Sequence, residues 1–320
     1  MHLEKEENKT IVINKVEIKP GQSKMVLITI SRLPTGTLIE IPVHVFNAKK
    51  PGPTVLLQAG LHGDEINGIE TLRRMLEHND FNIEKGCAIV VPILNIFGFI
   101  HFSRDVPDGK DVNRSFPGKK LGSLASRMAY HYTKEVLPQI DFGIDLHTGG
   151  GQRHNFPQVR YTAMDESSKH FAKIFNAPFY FPSKLISGSF RKAAYNLEKP
   201  ILVYEAGESM RFDKHAIKTA IKGIKNVLKN VGMLPKSDEA DQSNSIHFES
   251  TKWIRASRAG MFIPKIENGS EVNEGQVLGY ITDTVAKKSK DVVSPVSGHV
   301  FCINYQAVVN QGDALFHIGA

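Results

Sequence analysis

The sequence predicts an α/β protein: a mixed, mostly parallel sheet covered by helices, followed by a small all-β barrel. Three observations predict it. Apolar runs of strand length alternate with segments of helical period from residue 54 to residue 232, the pattern of strands joined by crossover helices. A polar stretch, PKSDEADQSNS at 235–245, then interrupts the chain. Beyond it the helical period is lost and a repeat replaces it. VNEGQVLGYI from Val272 matches VNQGDALFHI from Val309, an offset of 37 residues, each copy downstream of a Gly-led strand, GMFIPKI or GHVFCI. Two copies of one strand–turn–strand unit point to a pseudo-twofold barrel.

Taken in order, TIVINKVEI, KMVLITI and TLIEIPVHVF read as three strands, separated by Pro20-Gly21 and Pro34-Thr35-Gly36. A buried strand follows at 54–59. The helix at 66–78 spaces Ile66, Ile69, Leu72 and Leu76 along one face. Next come a strand at 87–94, a helix near 122–136, and the strand IDFGIDLH. A helix near 166–175 precedes the strand PILVYEAG. Asp213 starts a last helix with Ile217, Ile221, Ile224 and Leu228 on one face, and Gly232 ends it. The expected organisation is N-terminal strands over 1–48 packed on a central α/β domain over 49–234, a linker over 235–245, and a β-barrel over 246–320.

The chain has 320 residues, 41% hydrophobic and 23% charged, an ordinary globular balance. No apolar stretch is long enough to span a bilayer, and MHLEKEENKTIVINK has no apolar signal core, so a cytoplasmic protein is expected. The two cysteines, Cys87 and Cys302, sit in apolar strand-like runs and read as buried thiols. The net charge of +7 is dispersed rather than gathered into a stripe. Attraction of an anionic small molecule is therefore expected, and nucleic acid or membrane partners are not. A homo-oligomer is compatible with the sequence.

The chemistry concentrates at strand ends. In TVLLQAGLHGDEINGIETL an apolar strand breaks at Ala59-Gly60 and delivers His62 and Glu65 where a helix begins. The carboxyl end of a strand is where open α/β sheets bind ligands. His147, in IDFGIDLHTGGG, also ends an apolar strand. Two His and one carboxylate, with a fourth position left for water, form a catalytic zinc arrangement. Asp64 and Asp145 are expected to hold the imidazoles from behind. Glu205, in PILVYEAGES, ends another buried strand and could take a proton from the attacking water. The plainer alternative is a salt-bridged glutamate, with Arg211 as partner. The turn-rich segment SRDVPDGKDVNRSFPG supplies Arg104, Asn113 and Arg114, and arginine suits a carboxylate or a developing oxyanion.

GLHGDE, DVNRSFPG, DLHTGG and YEAG occur in this order. Together they resemble the succinylglutamate desuccinylase/aspartoacylase family, relatives of the zinc carboxypeptidases, over about residues 54 to 232. The β repeat resembles that family's C-terminal domain. The resemblance implies a zinc carboxypeptidase-like fold with one zinc ion per chain on His62, Glu65 and His147. It implies Asn113 and Arg114 as the clamp on a substrate carboxylate, Glu205 as general base and proton shuttle, and Arg104 as the group polarising the carbonyl. Arg191, in GSFRKAA, is a further expected substrate contact without a motif of its own. The tyrosine that aspartoacylase draws from its C-terminal domain has no matching context here; Tyr305 is nearby in type only.

The expected activity is therefore a zinc-dependent amidohydrolase that removes the acyl group from an N-acylated amino acid or related small carboxylate. A metallocarboxypeptidase acting on a short peptide would use the same groups. A third alternative is a carrier or assembly role for the C-terminal domain, whose half-repeats resemble biotinyl/lipoyl modules. Lys287, Lys288 and Lys290 fall between the halves, but the segment reads TVAKKSKD and lacks a Met-Lys-Met or Asp-Lys-Ala signature.

Overall fold

The computed structural model describes residues 7–235, 244–285 and 287–320. Most of the expected linker, 236–243, lies outside the described residues.

TIVINKVEI does not form one strand. It folds as a hairpin of β1 (Ile11–Ile13) and β2 (Val16–Ile18) around Asn14-Lys15, both at positive φ. That two-residue turn matches strand twist, and asparagine tolerates it. The strands β3 (Ser23–Arg32) and β4 (Leu38–Asn47) pair antiparallel. Then β5 (Lys50–Ala59) leads to α1 (Ile66–Glu77) and β6 (Lys85–Val91), and Pro92 follows β6 directly. A short α2 (Ile96–Ile100) precedes α3 (Leu124–Glu135) and β7 (Phe142–Gly149). The strand β8 (Arg153–Thr162) has no counterpart in the sequence reading. It is followed by α4 (Glu166–Phe175), β9 (Phe179–Ser183), α5 (Phe190–Tyr195), β10 (Ile201–Glu208) and α6 (Lys214–Asn230).

These strands lie in the order β9-β8-β10-β7-β5-β6-β4-β3. The centre, β10-β7-β5-β6, is parallel, and β8, β4 and β3 join it antiparallel. The mixed, mostly parallel α/β sheet is therefore present. One face is covered by α1, α4 and α6 over a core that includes Leu57, Leu72, Phe175, Tyr204 and Ile224. The other carries α3 and α5 over Leu56, Ile89, Met128, Tyr132 and Phe190. Strands β7 and β5 are buried on both faces, which explains their continuous apolar runs.

After β11 (Ile246–His247), the C-terminal part is all β. It comprises β12 (Thr251–Arg255), β13 (Gly260–Pro264), β14 (Glu271–Val272), β15 (Val277–Thr282), β16 (Ser289–Val293), β17 (Gly298–Asn304), β18 (Val308–Val309) and β19 (Ala314–Gly319). The repeat is wider than the sequence suggested, because β12–β15 and β16–β19 are equivalent units. β13 pairs with β15 and with β18 of the other unit, while β17 pairs with β19 and with β14. Gly260 and Gly298 start equivalent strands at φ +156° and +155°. A Cβ there would lie 2.4 Å from the Thr282 carbonyl oxygen or 2.1 Å from that of Gly319, so the same steric limit requires glycine twice. Lys287 and Lys288 are exposed between β15 and β16, and Lys290 is exposed on β16.

The barrel does not stand apart from the main sheet. β17 pairs with the start of β8, Cys302 opposite Asn155. Phe179, Phe181, Phe248 and Phe301 pack together over the seam. This joint brings residues of the barrel to the edge of the site described next.

Candidate active site

His62 and Glu65 lie in the connection from β5 to α1, and His147 lies near the end of the adjacent strand β7. Gly63 allows the connection to tuck in tightly. A Cβ on it would fall 1.9 Å from the carbonyl carbon of Gly98 in α2, so a side chain there has no space. All three candidate ligands are buried, with ligand atoms within 4.8 Å of one another.

The donor set fits a metal ion. His62 Nδ1 lies 2.7 Å from Glu65 Oε1, and His147 Nδ1 lies 2.8 Å from Glu65 Oε2. On the far side His62 Nε2 faces Asp111 Oδ1 at 3.3 Å, and His147 Nε2 faces Asp145 Oδ2 at 2.9 Å. A neutral imidazole has one N–H, yet each ring meets a carboxylate at both nitrogens. A positive group on the Nδ1 side resolves this, whether a second proton or a cation. A cation on the Nδ1 side of the two rings would leave each Nε2 facing an outer carboxylate, the usual orientation of a metal-ligating histidine. Burial works against charge on both rings, but Asp145 and Glu65 raise His147 well above its ordinary pKa, and Glu65 with Asp111 raises His62. Burial likewise opposes ionisation of Glu65, yet the two imidazoles hold it well below the usual carboxylate range.

The outer carboxylates differ from expectation in one respect. Asp145 does hold His147, but Asp111 rather than Asp64 stands behind His62. Asp64 directly precedes a candidate ligand on a tight loop and its Oδ1 meets no partner among the described residues, whereas Asp111 arrives from the DVNR segment. Asp111 also accepts from Arg104 Nε and Nη2, at 3.1 and 2.9 Å. This fixes the guanidinium so that Nη1 reaches His62 Nδ1 at 3.2 Å and Glu65 Oε1 at 3.3 Å.

A cavity of about 440 Å³ opens onto this centre, and every expected site residue lines it: His62, Glu65, Arg104, Asn113, Arg114, His147, Arg191 and Glu205. Asn113 uses its Oδ1 to accept from Phe190 N at 2.9 Å, which leaves its amide NH2 as the donor group for the cavity. Arg114 Nη1 donates to the Asn113 carbonyl at 2.7 Å. Arg191 Nη2 is held by the Lys184 carbonyl at 2.7 Å, while its buried Nη1 has no partner among the described residues. Burial, with Arg160 nearby, lowers its pKa to about 10. Glu205 pairs with Arg160, Nη1 to Oε1 at 3.2 Å, rather than with Arg211, which lines a separate pocket. Tyr305 lines that second pocket too, beside His154 and Gln152, and does not line the cavity of the candidate metal centre.

Several residues of the site do not emerge from the sequence reading. Asp111, behind His62, lies in DVNRSFPG, and its spacing two residues before Asn113 is the available signal. Asn155 and Arg160 come from the unread strand β8. Trp253 and Cys302 come from the barrel, where nothing in the local sequence points to the cavity. Trp253 stacks on His317 with ring centroids 4.0 Å apart.

Two buried imidazoles and a carboxylate that could hold a metal ion thus meet at the carboxyl ends of parallel strands, with a further carboxylate on the wall of the same cationic cavity. Residues 51–231 match the succinylglutamate desuccinylase/aspartoacylase catalytic domain, and the chain belongs to that family. It is 26% identical over 294 residues to an N-alpha-acetyl-L-2,4-diaminobutyric acid deacetylase of Halomonas elongata, covering 87% of this chain and 84% of that one. A succinylglutamate desuccinylase/aspartoacylase from Rhodobacter sphaeroides superimposes with a TM-score of 0.81 at 26% identity, covering 93% and 94% of the two chains. The product-bound ectoine utilization protein of Ruegeria pomeroyi has the same fold, with a TM-score of 0.81 at 23% identity and 93% and 95% coverage. No helix among the described residues is long and apolar enough to cross a membrane.

Proposed function

We propose that the protein is a zinc-dependent deacylase that hydrolyses the amide of an N-acylated amino acid. The observation that carries this reading is that His62, Glu65 and His147 line one cavity together with Glu205 and several arginines. Two nitrogens, a carboxylate and an open side suit zinc. A zinc ion bound there would supply Lewis acidity, lowering the pKa of water to about 7 and polarising the amide carbonyl.

The remaining work falls to side chains. Glu205 takes the proton of the attacking water and passes it to the leaving amine, so the two protonation events share one carboxylate. Arg104, held rigid by Asp111, places Nη1 beside the metal ligands, where negative charge develops on the carbonyl oxygen. The amide of Asn113 and the guanidinium of Arg114 receive the substrate carboxylate, and Arg191 Nη1 offers a second anion contact. Arg104, Arg114, Arg153, Arg160, Lys184 and Arg191 outnumber the cavity's Glu65, Asp145 and Glu205, which favours an anionic substrate. The cavity has the size of a small-molecule site, which favours an acylated amino acid over a peptide.

The test is hydrolysis by zinc-loaded protein of N-acetyl, N-formyl and N-succinyl amino acids, acylated diamino acids and short peptides. Zinc-dependent release of free amino acid is expected. Trimming of peptides with acylated amino acids left intact would refute the deacylase. The clamp has its own test. Arg114→Ala is expected to raise KM about 10-fold for substrates with a free carboxylate and to change little once that carboxylate is amidated, because a charge-assisted pair is lost. Equal losses on both substrates would make Arg114 structural.

A further inference from the structure

We infer that Arg160 and Asn155 are positioning residues that hold the Glu205 carboxylate in its working orientation; the inference rests on Glu205 acting as the base. Glu205 lies inside β10, just before its ladders shift register, and the contacts on its side chain do not come from β10 itself. Both restraints come from the neighbouring strand β8. Arg160 Nη1 meets Oε1 at 3.2 Å, and Asn155 Nδ2 donates to Oε2 at 2.8 Å. Each oxygen keeps a second lone pair, so the two contacts fix the carboxylate without using up its capacity to accept a proton.

The backbone is built to give this pair. On β8, Arg160 lies opposite Val203 and Gln158 opposite Glu205, so Arg160 reaches Glu205 diagonally. An unbroken ladder would next set Phe156 opposite Gly207. A bulge between Glu205 and Gly207 sets Asn155 there instead. Bulges beside active sites re-aim side chains in this way, and here the re-aimed residue is the second restraint on the base. Arg160 is itself anchored, with its guanidinium 5.8 Å from the centre of the Phe181 ring, which lies opposite it on β9. Asn155 is buried and lies opposite Cys302 of β17, so the joint with the barrel supports the same contact.

Steady-state kinetics and zinc content of wild type, Arg160→Met, Arg160→Lys and Asn155→Ala test the inference, on a substrate that wild type hydrolyses. Loss of orientation by about 1 Å costs up to about 10²-fold. Arg160→Met is therefore expected to lower kcat by about 10- to 100-fold with KM and zinc content little changed, and Asn155→Ala to lower kcat less. Arg160→Lys keeps a cation near Oε1 and is expected to retain more kcat than Arg160→Met. A raised KM with kcat retained in Arg160→Met would make Arg160 a substrate contact and overturn the inference. So would a normal kcat in both Arg160→Met and Asn155→Ala while wild type is active, and that result leaves the deacylase reading standing. Should Arg160→Met fail to fold, Asn155→Ala decides, and a normal kcat there overturns the pair. Wild type inactive on every acylated amino acid overturns both the inference and the function beneath it.

Discussion

Glu205→Gln is expected to lower turnover by about 10²–10⁴-fold, the usual worth of a positioned general acid–base. The substitution keeps the shape of the side chain and removes its ability to take a proton. Its contacts survive, because a Gln carbonyl still accepts from Arg160, and Asn155 can turn its amide to accept where it now donates. Glu205 is not among the clustered metal-ligating atoms, so zinc content should remain at the wild-type level. Substrate affinity should remain too, because Asn113 and Arg114 are carried by a different segment. Metal loss on Glu205→Gln would make Glu205 a ligand. Near-normal turnover would make it a bystander and turn attention to Asp64 or Glu208.

His147→Ala and His62→Ala are expected to abolish zinc binding and hydrolysis together, leaving a folded protein. The loss should exceed the 10- to 100-fold in metal affinity typical of removing only an outer partner, as in Asp145→Asn. The fold should persist because neither histidine is a member of the two apolar cores. Full zinc occupancy in both alanine variants would remove this site from consideration. Zinc uptake should also carry a pH signature. Both ring pKa values are raised, so before zinc binds the extra proton is retained at pH values above those of ordinary histidine. Zinc needs the deprotonated Nδ1, so binding must expel that proton. Apparent affinity is therefore expected to rise with pH through the titration of these rings and to weaken as pH falls. Uptake in weak buffer with a pH indicator should register proton release, and its absence near neutral pH would contradict the paired-carboxylate description of the rings.

The chemistry was legible in the sequence wherever one short segment holds both the strand end and the reactive side chain. His62 with Glu65, His147, and Glu205 each follow a buried apolar run, and such a run is visible because a strand covered on both faces has to be apolar throughout. The barrel repeat was legible for a related reason. Equivalent backbone positions meet equivalent steric limits, so Gly260 and Gly298 recur with the valines and leucines around them. Tertiary structure alone decided the rest. RHNFPQVRYT carries charge, a proline and no clean alternation, because β8 is a site-lining strand whose polar side chains face partners rather than water. Asp111 in place of Asp64, Arg160 in place of Arg211, and Trp253 on the cavity wall all depend on which distant segments the sheet brings together. Local sequence determines which residue ends a strand; strand order, register and one bulge determine what that residue meets.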